Sequence, residues 1–177
     1  MKRSLISILL LTITILGACA REDDVVEPDS FSFIHYPGAR YLGELTEVTR
    51  QAHKLLKPDE EPPPVAIYDT DASVEEVATF YAKSYGYGSV AADATNNLSA
   101  TPPPAYYRTG ELANDVAGIE DQTAKLGLNT DVSKARGSYK AAEIKARPNR
   151  PNVTIQRPYF NVRTSEVVDR TIILMAR

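Results

Sequence analysis

Covalent or metal chemistry in this 177-residue chain would have to come from few groups: one cysteine, Cys19, and two histidines, His35 and His53. Neither histidine has another at a two- or four-residue spacing, so the pattern of a zinc centre is missing and no metal ligand is expected. The acidic runs Glu22-Asp23-Asp24 and Asp59-Glu60-Glu61 are contiguous, whereas a calcium loop wants oxygens at spaced positions. A serine nucleophile would need an exposed elbow and a histidine base, and no Gly-x-Ser-x-Gly occurs. A carboxylate pair such as Glu75 with Asp71 could in principle do acid–base work, but Glu75 reads as an exposed residue of a helix start. Gly86-Tyr87-Gly88 follows a helix, the reverse of the order in a phosphate-binding turn. These patterns assign no catalytic residue and no cofactor.

Tyrosine is the enriched type, ten copies against no tryptophan. Tyrosines supply contact area at small entropic cost and suit a surface for a glycan, a peptide or a partner protein. Tyr85, Tyr87, Tyr106 and Tyr107 are the candidates, since they fall beside glycines and a triple proline, where a loop could fold them into one groove. Packing at the edge of a core is the other reading of the same residues.

The one cysteine closes a leader-like segment. Lys2-Arg3 precede an apolar run, Leu5 to Leu16, too short to span a bilayer, and small residues follow it. The string Leu16-Gly17-Ala18-Cys19 resembles the lipobox of bacterial lipoproteins. That resemblance implies cleavage before Cys19 and acylation of its thiol with fatty acids such as palmitate; an ordinary signal peptide cut after Ala18 or Ala20 is the alternative. It also implies a protein exported and held on the bilayer. Ala20 differs from the aspartate that retains such proteins at an inner membrane, which favours the outer membrane, facing the periplasm, in a diderm cell. In other cells the outer face of the plasma membrane is expected. Loss of residues 1–18 removes Lys2 and Arg3 and no acid, so the formal charge of −3 becomes −5. That balance argues against a nucleic-acid partner. With no second cysteine, no intrachain disulfide can form.

Residues 19–30 are acidic and poor in large apolar groups, the composition of a tether, with Val25-Val26 as a conceivable edge strand. A single domain over 31–177 follows. Phe31 to Tyr36 alternates like a strand before the turn Pro37-Gly38. A short strand at Tyr41 to Leu45 and a helix from Thr46 to Leu56 come next. Val65 to Tyr68 is a strand, and Asp69 to Ala72 turn the chain. Ser73-Val74-Glu75-Glu76 then has the form of a capping box, with Ser73 at the N-cap and Glu76 three residues on. Val74, Val77, Phe80-Tyr81 and Ser84 give that helix an apolar face, and Gly86 and Gly88 stop it.

Late in the chain, Ser138 to Ala146, Val153 to Gln156 and Thr171 to Ala176 read as strands of a meander. The last is apolar on both faces, as a central strand should be. Between lies an insertion, about 89–137, where Leu112, Val116, Ile119, Thr123 and Leu126 step like one amphipathic helix closed by Gly127. It is either a functional lid or packed decoration. The fold class expected is therefore α+β: a mainly antiparallel sheet of four to five strands packed by one amphipathic helix, with an additional helix in the insertion.

Tyr36-Pro37-Gly38-Ala39, the run Tyr68 to Val77 and the pair Phe80-Tyr81 resemble a group of small uncharacterised bacterial lipoproteins. The resemblance covers residues 36–88 and 138–177 and implies an architecture but no catalytic residue. A non-catalytic binding or interaction module of the cell envelope is thus expected, with the bilayer as partner through Cys19 and an envelope protein or glycan as a second. A structural accessory of an envelope complex and a carboxylate-using hydrolase are the alternatives. A tyrosine-lined pocket would favour the first, contact through a sheet edge the second, and buried convergent carboxylates the third.

Overall fold

The computed structural model of the chain describes residues 33–92, 103–145 and 150–177. The leader, Cys19, the tether, Phe31-Ser32, the polar run 93–102 and the end of the strand expected to 146 lie outside the described residues. Among the described residues, eight strands and four α-helices follow in order: β1 (Arg40–Tyr41), α1 (Gly43–Leu56), β2 (Val65–Thr70), α2 (Val74–Ser84), β3 (Ala105–Glu111), α3 (Leu112–Asp115), α4 (Glu120–Lys125), β4 (Ser138–Ile144), β5 (Asn152–Arg157), β6 (Tyr159–Asn161), β7 (Glu166–Val168) and β8 (Thr171–Ala176).

Six strands form one antiparallel sheet in the order β1-β2-β8-β5-β4-β3, and β6 and β7 make a separate hairpin. β8 is central and buried on both faces, as its continuous apolar run requires. A strand of that kind needs cover on each side, and both sides have it. On one face α2 lays Val77, Ala78 and Tyr81 against Ala66, Tyr68, Ile155 and Ile173. On the other, Val65, Ile67, Ile172 and Leu174 meet Tyr159 of the hairpin and Leu42 and Leu45 at the start of α1. Leu112, Val116 and Ile119 cover Tyr139 and Ala141 beside Phe160 and Val162. The expected four to five strands under one helix are thereby corrected to six strands under several helices; the α+β class and the antiparallel sheet stand.

Local chemistry explains the boundaries. Ser73 Oγ accepts the Glu76 amide at 3.2 Å and Glu76 Oε2 accepts the Ser73 amide at 2.8 Å, a complete capping box. The far end of α2 closes with Tyr87 N–H on Ala82 O and Gly86 N–H on Lys83 O, a Schellman turn that needs the positive φ of Gly86. Its buried stripe uses Ala78 and Ala82, with Ser84 exposed.

Four expectations change. Residues 33–36 are irregular rather than a strand, although Phe33 is buried and Ala39 N–H closes the Pro37-Gly38 turn on Tyr36 O at 3.0 Å. β1 stops at Tyr41 and α1 begins at Gly43, because the Thr46 hydroxyl accepts the Ile67 amide at 3.0 Å and donates to Leu42 O at 3.1 Å. A helical side chain thus occupies the place where another strand residue would bond β2. Ala105 to Glu111 is an edge strand paired along its length with β4, so the insertion supplies a strand as well as helix. Its expected single helix is two short ones, broken at Gly118 with φ +79°, yet Leu112, Val116, Ile119, Thr123 and Leu126 are all buried.

Candidate functional site

One register row crosses the whole sheet on the face away from α2. It reads Arg40, Asp69, Ile172, Gln156, Ala141, Arg108, from β1 to β3. An arginine ends the row at each edge, and each arginine is anchored by a carboxylate.

At the β1 edge that acid is Asp69, fully buried although it follows four apolar strand residues. Arg40 Nε donates to Oδ1 at 3.2 Å and Arg40 Nη2 to Oδ2 at 3.0 Å, while Arg170 Nε reaches Oδ2 at 3.0 Å. Two guanidinia replace the water that a buried carboxylate loses. Arg170 also bonds Asp71, and Arg157 donates to Asp71 O at 2.9 Å, fixing the loop into α2. Tyr159 OH lies 3.5 Å from Asp69, and its hydroxyl pKa is pushed up to about 12, chiefly by burial and then by the Asp69 charge. The stretch expected to turn at Asp69 therefore remains strand through Thr70.

Beside this cluster a cleft of about 320 Å³ opens between the start of α1 and the hairpin loop. Arg40, Leu42, Glu44, Tyr159, Asn161 and Arg163 are among its walls. Glu44 of α1 and Arg163 of the hairpin form an ion pair. Asn161 Oδ1 accepts the Arg163 amide at 3.0 Å, which sets the direction of its own amide group. No sequence motif marks this cleft. Its only signal is an acid, Asp69, at the end of an apolar run.

At the β3 edge, Arg108 Nε donates to Glu143 Oε1 at 3.1 Å and Arg108 Nη1 bonds Tyr139 OH. Tyr139 OH donates to Asp115 Oδ1 at 3.3 Å, Gln156 Nε2 to Asp115 Oδ2 at 3.4 Å, and Thr154 Oγ1 to Glu143 Oε2 at 3.1 Å. One guanidinium thus serves two half-hidden carboxylates, Glu143 directly and Asp115 through the Tyr139 hydroxyl, and each of their four oxygens has a donor. Burial raises the Asp115 pKa above the usual aspartate value, against the pull of Arg108.

The four tyrosines occupy separate environments. Tyr85 is in the core under α2, with Arg150 over its ring. Tyr87 is half-buried and its hydroxyl donates to Lys145 O. Tyr106 and Tyr107 are consecutive on β3 and so project from opposite faces, opposite Glu143 and Ala142. Lys145 lies over Tyr106, 5.7 Å from the ring centroid, and Lys140 over Tyr107 at 4.9 Å. Ser73 and Glu76 are engaged in the cap. Glu75 pairs with Lys140, whose hydrogen bond lowers the Glu75 pKa, and Asp71 pairs with Arg170, so the two carboxylates are each held by a different cation.

His35 Nε2 lies 3.2 Å from Tyr68 OH, and His53 Nε2 lies 4.0 Å from Glu60. Among the described residues no group of three His, Cys, Asp or Glu could hold a metal ion, and no helix is long and apolar enough to cross a membrane. No family model, no curated protein and no solved structure matches the chain.

Proposed function

We propose that this chain is an exported, lipid-anchored protein whose folded domain is a non-catalytic binding module of the cell envelope, held at the bilayer through acylated Cys19. The observation that carries the binding role is the cleft between the first turn of α1 and the hairpin. Its volume is at the small end of ligand sites, and its polar groups are fixed by partners behind them. Asp115 and Glu143 are half-buried carboxylates near one arginine, but all their oxygens are engaged in hydrogen bonds, which suits a structural role better than proton transfer. The anchor is supported by the order of basic, apolar and small residues before Cys19.

The test is metabolic labelling with an alkyne palmitate analogue, fractionation and in-cell crosslinking of the full-length protein. Wild type is expected in the membrane fraction with label, and Cys19→Ser without label. An unlabelled wild type would remove the anchor. A domain that crosslinks to no envelope component and binds no soluble ligand would remove the module.

A further inference from the structure

Resting on the binding-module reading, we propose that the cleft between α1 and the hairpin takes a neutral, polyhydroxylated ligand, a mono- or short oligosaccharide.

Charge balance makes the first argument. The ionised groups at the cleft are matched within the protein: Arg163 by Glu44, and Arg40, through two hydrogen bonds, by Asp69. Glu44 sits in the first turn of α1, where a carboxylate also answers the positive end of the helix. A charged ligand would have to break one of these pairs and leave its partner exposed or buried alone. A neutral ligand breaks none.

Hydrogen-bond geometry makes the second. A paired guanidinium and carboxylate set N–H donors and oxygen acceptors side by side, and a sugar hydroxyl is both donor and acceptor. Asn161 and Thr164 add an amide and a hydroxyl. The Asn161 oxygen is already committed to the hairpin backbone, 3.0 Å from the Arg163 amide and 3.5 Å from that of Thr164. Its NH₂ group has no acceptor among the described residues, so it is an oriented donor. Leu42 and Leu45 supply the apolar wall that the C–H face of a pyranose requires.

The experiment is an NMR titration of the mature acylated protein in lipid nanodiscs, uniformly labelled with ¹⁵N, following the Asn161 side-chain amide in wild type and the backbone amides of Gly43 and Leu45 at the cleft in wild type and every variant. The probes are N-acetylglucosamine, cellobiose and maltose in one arm, and inorganic phosphate and citrate in the other. A saturable shift with at least one saccharide, weakened about tenfold in Asn161→Ala, supports the inference. Should that substitution disturb the hairpin, Thr164→Val is expected to weaken the same titration. Glu44→Gln, which releases Arg163, is expected to keep the saccharide shift and to create a phosphate shift absent from wild type. A wild-type cleft that responds to phosphate or citrate and to no saccharide overturns the ligand class while leaving a binding module. No response to any saccharide near its solubility limit also overturns it, and the module then depends on the crosslinking result alone.

Discussion

Gly110 and Tyr139 face each other across β3 and β4, and the phenol ring fills the space that a side chain at 110 would need. A Cβ built on Gly110 would lie 2.7 Å from Tyr139 Cζ and from its hydroxyl oxygen. The glycine leaves room for the far end of the ring, whose hydroxyl joins Arg108 and Asp115. Its φ is not in the left-handed region, so the requirement is one of space alone.

Gly110→Ala is therefore expected to destabilise the protein by about 1–3 kcal/mol, the range for overpacking a tight site. An alanine stiffens the unfolded chain and would stabilise by under about 1 kcal/mol if the site had room, so the sign of the change tests the contact. Urea unfolding with an unchanged slope is the measurement. A stabilised variant would mean that the ring moves aside freely.

Asp69→Ala leaves Arg40 and Arg170 without their shared carboxylate. The loss expected is about 1–3 kcal/mol, the range for hydrogen bonds to a charged group, since both arginines reach solvent and Arg170 keeps Asp71. Arg40→Met should cost much less, because Arg40 is 56% exposed and Asp69 keeps Arg170. Equal losses in the two variants by chemical denaturation would show that Arg40 is the principal partner.

Asp115 gives a pH dependence of definite sign. Its folded-state pKa is raised by burial, so the folded protein binds this proton more tightly than the unfolded chain. The stability it contributes is fully present below the unfolded value, near 3.9, and is lost as pH rises through the folded value. Asp115→Asn should accordingly be more stable than wild type at neutral pH, with the difference closing as pH falls below about 4. Denaturation midpoints of both proteins across acid and neutral pH check this; a gap that widens on acidification would reverse the assignment.

Ser73→Ala removes the acceptor for the Glu76 amide and should cost about 1 kcal/mol. Combined with Glu76→Ala, the two losses should fall short of additivity, because each residue bonds the other. Strict additivity in a double-mutant cycle would argue that the box forms no coupled unit.

Where order is local, the residues themselves reveal it. The box at Ser73, the stop at Gly86 and the two-sided apolar run of β8 were legible because each is settled within one turn or one strand. β3 was not, since Tyr106 and Tyr107 follow a triple proline and their pairing with β4 is a long-range fact. Asp69 read as a turn because a lone acid beside a strand normally faces water; only Arg40 and Arg170, far away in sequence, make its burial tolerable. The cleft is hidden for the same reason, its walls coming from residues 40–45 and 159–164. The tyrosines were conspicuous by number, but neighbours on a strand point apart, and that parity depends on recognising the strand.

The pairing of β2 with β8 joins Val65 to Ala176 and Thr70 to Thr171, so the two strands at the heart of the sheet are separated by most of the domain's length. Strands β3, β4 and β5 can pair soon after they are made, whereas β2 has only the two-residue β1 to pair with until the final strand is present. A chain threaded through a membrane from its N-terminus would thus remain without a closed core until its last strand emerged. The same topology makes the final six-residue strand the part that commits all the others: ending the chain before Thr171 would leave two half-sheets with nothing between them.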